Sequence, residues 1–315
     1  MRAWRRALVA VSAVATLAVA TGCGTSKSGD AGSSTQGGSQ DTAKVTVVAS
    51  TDVWGDVVKQ IAGTLAGSTV AITSIITDPA ADPHSYEANT QNQLALSKAN
   101  LVLENGGGYD DFVDTMLKTA NNASAIVLNA VEVSGRTPDA SGSLNEHVWY
   151  DFPAVRAVAD KVRSALAKAD PANADTYAAN EKKFATALSD LEASEAKIKA
   201  AHSGEGVAIT EPVPLYMLEA CGLENMTPSE FSKAIEEGTD VPASVLNQTE
   251  DLFKTKRVKL LAYNEQTSGA ETEAVLKAAE ANKIAVVPVT ETLPNGKDYL
   301  TWMASNLAAI QAALG

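Results

Sequence analysis

Three histidines and two cysteines in 315 residues leave few strong metal donors to place. Two of the histidines, His84 and His147, and two acids, Glu211 and Glu291, each follow a short apolar run that reads as a β-strand. The runs are 70–76, 126–128, 207–209 and 284–287, and the polar segments after them are 77–87, 145–149, Thr210-Glu211-Pro212 and Thr290-Glu291-Thr292. Ligands of open parallel sheets bind beyond the carboxyl ends of the strands, where all four segments fall. Neutral imidazole nitrogen together with carboxylate oxygen suits Mn²⁺, Fe²⁺ or Zn²⁺. Two carboxylates also cancel the charge of a divalent ion and so offset much of the cost of burying it. The lack of any thiolate in this set argues against Cu(I). His202, in Ala201-His202-Ser203-Gly204, ends a long helical run, where an imidazole can complement the helix dipole, and it is set aside as a ligand. Glu87 reads as a surface acid. Asp82 reads as a turn cap before Pro83 or as an orienting partner for an imidazole. Gly106-Gly107-Gly108 is not followed by Lys-Ser/Thr and reads as a plain turn rather than a phosphate cradle.

These side chains need elements to position them. Residues 45–49, 70–76, 101–103 and 126–128 are short apolar runs, and between them lie helical patterns such as 54–61, with apolar residues at 54, 57, 58 and 61. Thr90 is the expected N-cap of a short helix, and 110–117 is another helix. Residues 152–201 carry no strand signal. Asp170-Pro171 breaks this region, and 173–201 then runs on without Gly or Pro. There Tyr177, Phe184, Leu188, Leu191 and Ile198 form one apolar stripe. A helix of about 28 residues at 1.5 Å per residue is roughly 42 Å long, the length of a strut. Strands resume at 207–209, 258–262 and 284–287, and 299–314 is a closing amphipathic helix. The pattern predicts an α/β protein of two lobes, each with a mainly parallel sheet flanked by helices, joined by one long rigid helix. The lobes are expected at 44–151 and 203–315, with the helical region at 152–202.

The first 43 residues read as an address. Arg2, Arg5 and Arg6 precede an apolar stretch at 7–20 that is too short for the roughly 30 Å hydrocarbon layer, so 1–22 is expected to be a signal peptide. Thr21-Gly22-Cys23 resembles a lipoprotein cleavage box, with Ala20 where Leu is usual, and makes Cys23 the expected site of lipidation. Residues 23–43, rich in Gly, Ser, Thr and Gln, form a flexible tether spanning on the order of 25 Å. The whole chain carries 25 basic and 38 acidic residues, a net charge of −13. Loss of 1–22 removes three arginines and no acid, leaving 22 basic against 38 acidic residues and a charge of −16. Such a surface excludes nucleic acid as a partner and favours a small cation. Cys221 is then the remaining thiol, expected as a small buried apolar residue, and no disulfide framework can form.

The segment Asp82-Pro83-His84-Ser85-Tyr86-Glu87 resembles the metal-binding lipoproteins of bacterial ABC importers, the zinc/manganese solute-binding family. So do Ala49-Ser50-Thr51, Asn105-Gly106, His147-Val148-Trp149, and Asp170-Pro171-Ala172-Asn173 with Tyr177 and Asn180. The resemblance runs from about Val45 to the C-terminus. It implies that His84, His147, Glu211 and Glu291 hold the ion. Asn145-Glu146 stands where Asp-Pro usually precedes the second histidine, and Glu291 stands where Asp is usual. Zinc members typically carry a third histidine and often a His-rich loop. Glu211 and the lack of such a loop place the set on the manganese/iron branch, although the intrinsic affinity order puts Zn²⁺ above Mn²⁺. The resemblance further implies a monomeric binding protein rather than an enzyme. It would be anchored outside the cytoplasm through lipid on Cys23, and would deliver its ion to a membrane permease driven by an ATPase. A metal-dependent hydrolase is the alternative, but it needs an open coordination position for water. A siderophore or vitamin binder of similar architecture needs a wide aromatic-lined site, against an aromatic content of 5%.

Overall fold

Continuous apolar strands alternating with helices fold here as two parallel sheets, each covered on both faces, the arrangement that buries such strands most fully. The computed structural model describes residues 44–315 apart from 82, 88 and 139–141, with the backbone alone at 85. The signal peptide over 1–22, Cys23, the tether to residue 43 and Asp82 therefore lie outside the described residues.

The first lobe comprises β1 (Val45–Thr51), α1 (Asp52–Ala62), β2 (Val70–Ile76), α2 (Thr90–Lys98), β3 (Leu101–Glu104), α3 (Asp111–Ala120), β4 (Ile126–Asn129) and α4 (Ala130–Ser134). Its sheet has the order β2-β1-β3-β4, and every pair is parallel. Two long helices follow, α5 (Phe152–Ala169) and α6 (Ala174–His202). The second lobe contains β5 (Gly206–Ile209), α7 (Leu215–Ala220), β6 (Glu224–Asn225), α8 (Ser229–Glu236), α9 (Ala243–Lys254), β7 (Leu260–Asn264), α10 (Ala270–Ala281), β8 (Ala285–Val289) and α11 (Tyr299–Leu314). Its order, β6-β5-β7-β8, is again all parallel. Both orders reverse direction beside the first strand of the lobe, which opens a crevice at its carboxyl end.

The strut is α6, 29 residues long. Its buried stripe is Tyr177, Phe184, Leu188, Leu191 and Ile198, and it packs on α1 and α5 of one side and α11 of the other. Asp170, fully buried, fixes its start by accepting from Asn173 Nδ2 at 2.5 Å and Tyr177 OH at 3.1 Å and by pairing with Lys44. Asn180 Nδ2 donates to the carbonyl of Ile61 at 3.1 Å, tying α6 to the end of α1. The Asp-Pro-Ala-Asn entry with Tyr177 and Asn180 is thus an anchoring device. The lobes are also stitched directly. Tyr299 OH donates to the carbonyl of Trp149 at 2.6 Å, Tyr150 OH to that of Thr290 at 2.9 Å, and the Leu293 amide to Asp52 Oδ1 at 3.1 Å.

Two expectations change in detail, and one strand is new. The N-cap of α2 is Asn89, whose side chain accepts from the amides of Gln91 and Asn92; Thr90 is already helical, because Asn89 alone has the extended backbone from which a side chain can reach back. The strands expected to end at 262 and 287 run on to Asn264 and Val289, because β7 and β8 continue pairing to Asn264↔Val289. That extension carries Asn264 to the site. The two-residue β6, with both side chains exposed, had no apolar run to announce it.

Candidate metal centre

His84 lies in a 3₁₀ turn, Pro83–Ser85, beyond β2, and His147 directly precedes another, Val148–Tyr150. The Tyr109 ring stands roughly perpendicular to both imidazoles, 5.0 Å from His84 and 6.0 Å from His147 between centroids. The Trp149 ring backs His147 at 5.0 Å. Asn145 Oδ1 accepts from the His147 amide at 3.1 Å and lies 2.8 Å from His147 Nδ1. The same Asn145 donates through Nδ2 to the Pro212 carbonyl, so its Oδ1 is the acceptor and His147 Nδ1 carries the hydrogen. The Nε2 lone pair is thereby turned into the cleft, the arrangement a ligating imidazole requires.

The loop that carries His147 is clamped from behind. Asn105 Nδ2 donates to the Glu146 carbonyl at 2.9 Å, while its Oδ1 accepts from Trp54 Nε1 at 3.2 Å. Buried Asp110 accepts from the amides of Asn105 and Gly106 at 2.6 and 2.8 Å. Gly106 has φ +78°, and a Cβ there would lie 2.1 Å from Asn129 Nδ2, so glycine alone fits. The Asn-Gly pair is a support for the histidine loop.

From the second lobe come Glu211, two residues beyond β5, and Glu291, two residues beyond β8; both are buried. Asn264, the last residue of β7, lies between them and donates through Nδ2 to Glu211 Oε2 at 2.6 Å and Glu291 Oε1 at 2.8 Å. Gln266 extends the brace: its Oε1 accepts from the Glu291 amide, and its Nε2 donates to Thr292 Oγ1 and, across the cleft, to the Ala81 carbonyl, each at 2.9 Å. One oxygen of each acid is therefore engaged by Asn264.

The donors from the two lobes meet around His147. Its Nε2 is 3.9 Å from Glu291 Oε2 and 3.5 Å from Glu236 Oε1, and His84 Nε2 is 3.3 Å from the same Glu236 oxygen. Glu146 Oε1 stands 3.9 Å from His84 Nε2. The tightest group among the described residues is His84, His147 and Glu236, with donor atoms all within 4.8 Å of one another. Glu211 and Glu291 lie outside that group and join it through the His147–Glu291 approach and their shared Asn264. His202 takes no part, lying at the end of α6 with its Nδ1 3.5 Å from Glu205. Glu87 is exposed. Cys221 is fully buried, and burial pushes its thiol up to about 12, as suits an inert apolar residue.

Glu236 and Glu146 were not among the expected residues. Glu236 is the last residue of a helix, so a rule that looks beyond strand ends passes over it. The available signal was electrostatic: Glu236-Glu237 at a helix C-terminus, closed by Gly238, sets two anions against the negative end of the dipole.

Burial and crowded carboxylates set the protonation states. Burial holds His147 down, near 4, so that its imidazole is neutral. Burial would also depress His84, but the carboxylates of Glu236, Glu291 and Glu146 outweigh it and push His84 up to about 9. Burial and then the charges of Glu291 and Glu236 push Glu211 up to about 8. Burial and Glu236 likewise push Glu146 to about 7. Burial opposes ionisation of Glu236 as well, but the hydrogen bond and charge of His84 beside it help keep its carboxyl below the usual range. Without an ion, the site therefore holds protons that a divalent cation can displace.

Two parallel-sheet lobes on a rigid helix, with imidazoles of one lobe facing carboxylates of the other, define a two-lobed solute-binding protein whose donors are those of a transition-metal site. Residues 47–313 match the profile of the family described as the zinc-uptake complex component A, periplasmic, and the chain belongs to that family. It is 23% identical to the manganese-binding lipoprotein MntA of Halalkalibacterium halodurans, over 73% of this chain and 77% of that one. It is 27% identical to the manganese ABC transporter substrate-binding lipoprotein ScaA of Streptococcus gordonii, over 86% and 89% of the two chains. Among solved structures, a Mn-bound single-residue variant of a periplasmic metal-binding protein from Candidatus Liberibacter asiaticus superposes with a TM-score of 0.68 at 17% identity, covering 86% of this chain and all of that one.

Proposed function

We propose that this chain is the extracytoplasmic binding component of a bacterial ABC importer and captures one divalent transition-metal ion between its lobes. His84, His147, Glu211 and Glu291 serve as ligands. The observation that carries this reading is the approach of His147 Nε2 to Glu291 Oε2 at 3.9 Å, an imidazole of one lobe meeting an acid of the other where both sheets end. Relatives named as manganese-binding and substrate-binding lipoproteins support it. Mn²⁺ is the favoured cargo because no third histidine joins the set; Zn²⁺, higher in the affinity order, also binds, and Fe²⁺ suits the same donors.

In this reading residues 1–22 are a signal peptide, Cys23 carries the lipid and 23–43 is the tether. The lobes at 44–151 and 203–315, with the helical region 152–202 between them, then work as a monomer outside the membrane. The partners are a permease and its ATPase. Hydrolase chemistry is disfavoured because four protein ligands leave little room for a reactive water.

The test is thermal unfolding of chelator-stripped protein with Mn²⁺, Zn²⁺, Fe²⁺ or Mg²⁺. At about 100 times its Kd, a bound ion stabilises the fold by about 2.7 kcal/mol, and a clear rise in Tm is expected with transition metals. No shift with any of them contradicts the proposal.

A further inference from the structure

We infer that Glu236 is a further metal ligand, supplied by the end of α8, and that its oxygen biases the site toward Mn²⁺ over Zn²⁺. The inference rests on the metal-capture reading and adds a donor outside the four positions that the family pattern supplies.

Geometry comes first. Donors about 2.1 Å from one ion and adjacent around it lie roughly 3.0–3.4 Å apart, for octahedral and tetrahedral angles respectively. Glu236 Oε1 is 3.3 Å from His84 Nε2 and 3.5 Å from His147 Nε2. Those separations are close to the edges of a coordination polyhedron. His147 to Glu291, at 3.9 Å, is wider.

Energetics point the same way. Both Glu236 oxygens are shut off from solvent. Burying a carboxylate is costly unless a cation or strong donors meet it, and the C-terminal end of α8 adds the unfavourable end of a helix dipole. The adjacent Glu237 shows the inexpensive alternative at the same helix end, turning outward to pair with Lys233 at 3.7 Å. Glu236 instead turns inward, between two imidazoles. A divalent ion bound by both imidazoles would make that placement favourable.

Specificity follows from the donor count. Two imidazoles with Glu211 and Glu291 can close a tetrahedron, which suits Zn²⁺. A further carboxylate raises the coordination number and the share of oxygen, conditions that favour Mn²⁺.

The experiment measures Mn²⁺ and Zn²⁺ Kd values by chelator competition for the full chain and for Glu236→Gln, Glu236→Asp and Glu236→Ala, with His147→Ala as the control for the underlying reading. Melting of the metal-free variants establishes that each is folded. Glu236→Gln is expected to weaken Mn²⁺ by about 10- to 100-fold, to weaken Zn²⁺ by at least tenfold less, and to lower the Mn–O/N coordination number seen by X-ray absorption. Glu236→Asp should restore part of the Mn²⁺ affinity. Mn²⁺ affinity within twofold of the parent in Glu236→Gln overturns the inference. So does an equal loss for both ions, which would make Glu236 a support for His84 rather than a selective ligand. Failure of the unsubstituted chain to bind either ion overturns the metal-capture reading itself, a separate result.

Discussion

His84 Nε2 and Glu236 Oε1 stand 3.3 Å apart with one donor on each lobe. In the ion-free protein, burial alone would keep His84 neutral, but this carboxylate and its neighbours push it to about 9, so at neutral pH a protonated imidazole pairs with Glu236 across the cleft. The proton occupies the role that a metal would take.

Metal affinity should therefore rise with pH. His84, near 9, and Glu211, near 8, must both lose protons to coordinate an ion. Binding at pH 7 should release roughly one to two protons, and affinity should climb between pH 6 and 9. Calorimetry in buffers of different ionisation enthalpy measures the release. Affinity independent of pH, with no protons released, would contradict these assignments.

The stability of the metal-free chain should run the other way. His84 is raised above its ordinary 6.5 and Glu211 above 4.5, so each contributes stability at pH below those ordinary values and loses it as pH rises toward 9 and 8. His147, lowered to about 4, opposes this only on the acid side, between 6.5 and 4. The Tm of chelated protein should fall from pH 6.5 to 9, and the fall should shrink when saturating Mn²⁺ is present. A Tm that rises across that window would count against the protonated His84.

Among the three histidines, His84→Ala and His147→Ala should abolish tight metal binding, whereas His202→Ala should leave it within about twofold, since His202 faces Glu205 and α11. Equal losses in all three variants would overturn the division between them.

Asn264→Leu removes the donor shared by Glu211 and Glu291. Leaving buried carboxylate oxygens without it should destabilise the fold by about 1–3 kcal/mol and weaken metal binding about 10- to 100-fold. Chemical denaturation and chelator competition measure the two effects. Unchanged metal affinity would show that the two acids do not need this brace.

Much of this was legible in the sequence because parallel strands advertise themselves as short apolar runs, and their carboxyl ends mark the site. That rule singles out His84, Glu211 and Glu291 as candidates, and the longer loop beyond β4 leads to His147; the structure groups the two histidines with Glu236 and brings Glu291 to 3.9 Å from His147. The uninterrupted stripe from Tyr177 to Ile198 likewise gave the strut. What escaped had no such mark. Asn264 ends a strand two residues later than its apolar run, because ladder pairing with Val289 outlasts the hydrophobic pattern. Glu236 reaches the imidazoles from a helix whose position depends on how α8 packs, through Phe231 and Ile235, into the core of the second lobe. Local pattern carries no record of that packing.

The central claim is that donors from both lobes converge on one ion, and anomalous diffraction at the manganese edge from crystals of the loaded protein tests it most directly. The expected result is a single peak within bonding distance of both His84 Nε2 and His147 Nε2 and of carboxylate oxygens of Glu211 and Glu291. A peak held by one lobe alone, or lying away from both imidazoles, would contradict it.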